Sequence, residues 1–226
     1  MQLPNLKNHF FAVILVATSL SSATLTGCST TTSQNPVSDA TNTSDNQSMH
    51  HGGMNHNMNM DLGTADANYD LRFIDAMIPH HQGAVEMAKQ AQQKSKRPEI
   101  QKLAANIIKS QNQEINQMKQ WRKAWYPKAG AKPVAYDAEQ NKTVAMSSAQ
   151  KQDMMMSMNL GTADKQFDLR FINAMIPHHE AAVTMGEDVL QKSQRPQIKN
   201  LAENIVKAQE SEINQMKKWR QAWYNK

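Results

Sequence analysis

A single cysteine, Cys28, stands in 226 residues. No disulfide can form within the chain, so stability has to come from packing. Any soft-metal binding must proceed without a thiolate set, which suits an oxidising compartment where thiols are consumed. Strand signals are scarce: β-branched alternations are few and no Asn-Gly hairpin turn occurs. The apolar run from Phe10 to Leu20 is about 11 residues, short of the roughly 20 that a membrane-spanning helix needs. The net charge of +5 falls to +4 without Lys7, and it is scattered among Gln and Asn. That mild basicity argues for no nucleic-acid partner and allows only generic contact with an anionic membrane surface.

What the chain has instead is a sentence spoken twice. Asp70-Leu71-Arg72-Phe73-Ile74-Asp75-Ala76-Met77-Ile78-Pro79-His80-His81 returns as Asp168-Leu169-Arg170-Phe171-Ile172-Asn173-Ala174-Met175-Ile176-Pro177-His178-His179, with 98 residues from His80 to His178. A repeat of this kind defines the architecture, so the chain reads as two copies of one unit.

The front of the chain is a targeting segment. Lys7 and the apolar run precede Leu25-Thr26-Gly27-Cys28, which resembles a bacterial lipoprotein signal. The resemblance implies cleavage after residue 27 and lipidation of Cys28. The protein is then held on a membrane of the periplasm or cell envelope, the outer membrane in a Gram-negative cell. Residues 28–59 have almost nothing apolar to bury and read as a disordered tether. Within and at the end of it lie Met49, His50, His51, Met54, His56, Met58 and Met60.

Residues 60–126 form repeat one, 127–157 a linker, and 158–226 repeat two. The linker ends in a second methionine cluster, Met154, Met155 and Met156, with Met158 just beyond. Each repeat reads as two helices. Asp66 is the expected N-cap of the first, and Pro79 is expected to kink it or start a new helix. Residues 94–97 make the turn, and Pro98 opens the second helix. One hairpin has too little core, whereas two can cover each other's apolar faces. The expected fold is all-α, a four-helix bundle of two repeated hairpins. Separate hairpin domains that pair with another chain are the alternative arrangement.

Imidazole and thioether are ligands that soft copper ions prefer. Met77 and His81 share a helix face, while His80 points about 100° away. One histidine is therefore expected to join Met77, and its neighbour to serve another site or face water. Folding the hairpin brings Met118 and Glu114 opposite, with His80 and Met87 nearby. Repeat two offers Met175, His178, His179, Met185, Glu212 and Met216. Few donors at low coordination number suit Cu(I) or Ag(I), with Cu(II) open to the histidines; Zn(II) asks for more His, Cys or carboxylate. Affinity is expected to fall in mild acid. Methionines on an apolar stripe are ordinarily core fillers. Met and His in segments that have no core to fill tip the balance to metal. Trp121 with Trp125, and Trp219 with Trp223, are expected to close the bundle ends beside Arg122 and Arg220. Asp70 and Asp168, with Arg72 and Arg170, are expected to form first-turn ion pairs, and Asp70 could orient a histidine.

The Met-Ile-Pro-His-His core, a Met shortly after it, and the Met-x-x-Trp ending of the second helix resemble the DUF305 family, in the two-copy form of its periplasmic copper-binding members. The resemblance covers both repeats. It implies a ferritin-like four-helix bundle, copper tolerance, and ligands at Met77, His80, His81, Met87 and Met118 with Met175, His178, His179, Met185 and Met216. A di-iron enzyme of that fold would carry Glu-x-x-His pairs. No acidic residue stands three before any of the four histidines, so no catalysed reaction is expected. Copper ions, the membrane, and copper efflux or chaperone proteins are the expected partners. A di-metal redox enzyme and a metal-free adaptor lipoprotein are the rival readings.

Overall fold

The computed structural model describes residues 61–226. The signal, Cys28, the tether and its Met/His cluster through Met60 lie outside the described residues. Four long helices form two antiparallel hairpins: α1 (Tyr69–Lys94) with α2 (Pro98–Trp125), and α4 (Phe167–Lys192) with α5 (Pro196–Tyr224). Each hairpin turns in the same way. The Ser95 N–H closes the end of α1 on the Ala91 carbonyl at 3.0 Å, Ser95 Oγ accepts from the Arg97 N–H at 3.1 Å, and Pro98 takes the first position of α2. Ser193, Arg195 and Pro196 repeat the arrangement.

One expectation about α1 narrows and another changes. Pro79 and Pro177 sit inside continuous helices, so no new helix starts at either. The N-cap is Asn68, without a side-chain cap bond, rather than Asp66. Asp66 lies two residues earlier, where its carboxylate accepts from the Asn68 N–H at 2.8 Å and from Arg72 at 2.9 Å.

The two hairpins make one bundle with two interleaved cores. One core joins Met87, Ile100, Leu103 and Ile107 of repeat one to Phe171, Met175, Ile213 and Met216 of repeat two. The other joins Phe73, Met77 and Met118 to Met185, Leu201 and Ile205. Each apolar stripe is thus buried by the opposite repeat. The ends are clasped across repeats. Arg97 pairs with Asp168 at 3.4 Å and lies 4.1 Å over the Trp223 ring, while Arg195 pairs with Asp70 at 3.2 Å and lies 4.7 Å over Trp125. These cross-repeat pairs replace the expected partnerships of Asp70 and Asp168 with Arg72 and Arg170. Asp70 touches Arg195, so it does not orient a histidine. Trp121 stacks on Trp125 at 4.9 Å and Trp219 on Trp223 at 5.1 Å, as closure of the ends requires.

The linker is ordered and contains the strands that the sequence reading missed. β1 (Val134–Asp137) and β2 (Lys142–Ala145) pair antiparallel, Val134 opposite Ala145 and Asp137 opposite Lys142. The turn between them uses Asn141 at φ 48°, a conformation that Asn tolerates. A short helix, α3 (Ser148–Met155), follows behind a capping box of Ser147 and Gln150.

This linker lies along α1 and leaves the matching face of α4 open. On α1, Arg72, Asp75, Pro79 and Gly83 are buried; on α4, Arg170 and Ala181 are half-buried and Asn173 and Pro177 exposed. Arg122 grips the Asp75 carboxylate, which also accepts from the Val134 N–H at 2.8 Å. The Arg72 guanidinium donates to the Leu62 and Thr64 carbonyls at 2.6 Å, to Asp66, and to Thr143 on the hairpin. Arg170 keeps the first three kinds of contact but is 37% exposed, against 0% for the Arg72 side chain. Arg72→Met should therefore cost about 3 kcal/mol or more, because it strands buried acceptors. Arg170→Met should cost under about 1 kcal/mol. Urea midpoints of the two variants check this, and equal losses would contradict it.

Candidate metal centre

Burial is the first fact about the histidines: His80, His81, His178 and His179 are all 0% exposed. None faces water, so of the two alternatives for the second histidine of each pair only service at another site is left. They form a row across the α1–α4 contact. The ring centroids of His80 and His178 are 3.9 Å apart, with His81 6.4 Å from His80 and His179 6.2 Å from His178. Antiparallel packing of the duplicated helices brings the inner pair together.

The outer pair is held by carboxylates from the second helix of each hairpin. His81 Nε2 lies 2.6 Å from Glu114 Oε2, and His179 Nε2 lies 2.7 Å from Glu212 Oε2. An ionised carboxylate only accepts, so each Nε2 carries a proton, and in an uncharged ring each Nδ1 then holds a lone pair. Both Nδ1 atoms are buried with no hydrogen-bond partner. His178 Nε2 donates to the Met155 carbonyl at 3.2 Å, which again leaves Nδ1 as a buried, unpartnered lone pair. Among the described residues His80 has no partner at either nitrogen.

Burial pushes the His178 pKa down to about 3, with the nearby His179 adding to the effect. Burial also holds His80 well below the ordinary imidazole range, and the three other histidines act in the same direction. Uncharged imidazoles with free lone pairs are the form that binds metal. A histidine whose outer nitrogen is fixed by a carboxylate or carbonyl is the usual arrangement behind a metal ligand.

The thioethers are buried as well. Met77, Met87, Met118, Met175 and Met216 are 0% exposed and Met185 is 1% exposed. Met77 and Met118 share a core with Met185, and Met175 and Met216 share one with Met87. Met87 and Met185 have therefore changed sides relative to the single-hairpin picture. In the linker cluster, Met154 packs on a core, Met155 and Met156 are half-buried, and Met158 is 44% exposed. At least Met154 thus has core to fill, against the reading that this cluster has none. Among the described residues, no three His, Cys, Asp or Glu side chains are grouped to hold a metal ion.

Two buried polar residues escaped the sequence reading. Gln111 and Gln209 are 3% exposed, one turn before Glu114 and Glu212, and their Oε1 atoms are unpartnered. A glutamine at an apolar position of the stripe was the available signal.

The family model described as a domain of unknown function, DUF305, matches residues 19–122 and 70–220. The chain belongs to the DUF305 family. Among solved DUF305-like folds, CopM in its Cu(I)-bound form is 37% identical at a TM-score of 0.53, and in its Cu(II)-bound form 40% identical at 0.56. Both matches cover 69% of this chain and 97% of CopM. CopM has also been solved with silver and in an apo form. A DUF305 protein from Streptomyces coelicolor is 28% identical at a TM-score of 0.52, over 68% of this chain and 90% of its own. An uncharacterised protein of Acanthamoeba polyphaga mimivirus is 43% identical over 49 residues, 22% of this chain. The match spans 32% of that curated relative's length. No helix among the described residues is long and apolar enough to cross a membrane.

Proposed function

We propose that this DUF305 protein binds Cu(I), and with it Ag(I), in the cell envelope, and that it sequesters or relays copper there. One observation carries the reading: four fully buried imidazoles keep their Nδ1 atoms without a partner. An unpartnered buried polar atom costs about 1–3 kcal/mol, and a purely structural core would have replaced it. The residues fit a soft cation. His80, His81, His178 and His179 supply imidazole lone pairs, Met77, Met118 and Met185 thioethers on one side, and Met87, Met175 and Met216 thioethers on the other. Copper, bound there, draws on uncharged soft donors alone. The likeness to CopM in Cu(I), Cu(II) and silver forms supports the choice of metal.

The reading assigns binding and no turnover. Glu114 and Glu212 are engaged by imidazoles, and neither belongs to a Glu-x-x-His pair. Lipidation at Cys28 would hold the bundle on the envelope membrane. Met49, His50, His51, Met54, His56, Met58 and Met60, with Met154, Met155, Met156 and Met158, would collect ions at high local concentration beside the folded sites. Copper efflux or chaperone proteins are the natural recipients.

Anaerobic titration with Cu(I) tests the proposal. A ligand bound only by the native state at a thousandfold excess over Kd stabilises by about 4 kcal/mol. For a fold of this size that raises Tm by roughly 8–16 °C. An unchanged Tm would leave a structural lipoprotein.

A further inference from the structure

We propose that residues 154–156 act as a strap that gates the histidine row on one side only. The inference rests on the copper reading and adds its control. The Met155 carbonyl is seated on Gly83 so closely that a Cβ there would stand 1.6 Å from the oxygen. From that seat it accepts from His178 Nε2 at 3.2 Å. One backbone atom therefore closes the helix surface and ties down an inner imidazole.

Little else of the strap is buried. α3 has no buried residue, and Ser147 with Gln150 supplies its N-terminal cap. Its end is Met156, held in the left-handed region at φ 45° and ψ 20°, where a long side chain is uncommon. Methionine thioethers at 154, 156 and 158 ride on or beside the strap, so opening it would bring soft donors past His178.

Repeat two has no such seat. Ala181 stands where Gly83 does, and its methyl group would occupy the space that the carbonyl needs. His80, the counterpart of His178, has no partner at either nitrogen. The two-fold symmetry of the helices is thus broken at one glycine, and the strap controls the α1 side alone.

Gly83→Ala in the full-length protein tests the gate, because the added methyl unseats the Met155 carbonyl. Protein loaded with Cu(I) is mixed with excess Cu(I) chelator, and the slow phase of copper loss is timed. Gly83→Ala should speed that phase tenfold or more at unchanged stoichiometry. Ser147→Ala, which weakens the cap of α3 without touching the seat, should speed it less. Ala181→Gly should leave it as it is. In the metal-free protein, Gly83→Ala should also speed amide exchange across residues 148–158. Unchanged loss in both Gly83→Ala and Ser147→Ala, or equal acceleration by Ala181→Gly, overturns the gate while copper binding stands. Wild-type protein that takes up no copper overturns the copper reading, and the gate with it. Unchanged exchange in metal-free Gly83→Ala shows that the seat does not hold the strap.

Discussion

Replacing His80 by leucine should make the metal-free protein more stable, by about 2 kcal/mol, while weakening its response to copper. Ordinary core substitutions do the opposite of the first half. His80 is an exception because neither ring nitrogen has a partner and the residue is fully buried. Its desolvation is uncompensated, at about 1–3 kcal/mol for each unmade hydrogen bond, and leucine of similar volume removes that cost. The gain appears as a Tm rise of roughly 4–8 °C for a fold of this size. His81→Leu is the control. It strands Glu114, whose side chain is only 19% exposed, and should destabilise by about 1–3 kcal/mol. The double variant His80→Leu with His178→Leu should abolish most of the copper-induced Tm rise. A destabilised His80→Leu that still responds fully to copper would show that the imidazole packs the core and does nothing else.

Acid should weaken the metal-free fold from about pH 6.5 downward. His80 and His178 are held uncharged in the native state, below the ordinary imidazole value of 6.5 and, for His178, down to about 3. The unfolded chain takes up protons on both below about pH 6.5, whereas the native state does not. Unfolding then binds protons, so stability is full above pH 6.5 and is lost as pH falls toward 3. His178 alone removes about 2 kcal/mol by pH 5, and His80 acts in the same direction, against a typical stability of 5–15 kcal/mol. Urea midpoints at pH 7.5 and pH 5 measure this, and equal midpoints would contradict it. The same burial revises the expectation that copper affinity falls in mild acid. With His178 held near 3 and His80 shifted the same way, protons compete less at those two rings in mild acid. Their share of copper binding should persist there for as long as the bundle stays folded.

Much of this was legible in the chain. The helices followed from apolar periodicity, the first turn from residues 94–97 with Pro98 behind it, and the bundle from the need of two apolar stripes to cover each other, while the start of α1 was placed two residues early at Asp66. The imidazole and thioether donors were read from the Met and His residues themselves, and the resemblance to DUF305 pointed to the same positions. The β-hairpin was missed because Val134 to Ala145 is short and turns on Asn141 without a following glycine. The seat at Gly83 was missed because a glycine in a helix reads as a weak helix former until something is seen resting on it. Met77 with Met118 and Met175 with Met216 share a core as expected, but Met87 and Met185 were put in the wrong one because a single hairpin was the frame and the cores mix both repeats.

The order of residues alone determined four helices, paired histidines on α1 and α4, and thioethers at helical spacing, since these follow from 3.6-residue periodicity and duplication. Tertiary packing decided which nitrogens are left without partners. That property belongs to the antiparallel meeting of α1 with α4, to Glu114 and Glu212 arriving from the other helices, and to one backbone carbonyl resting on Gly83. No stretch of local sequence contains all of those groups, so none could have announced it.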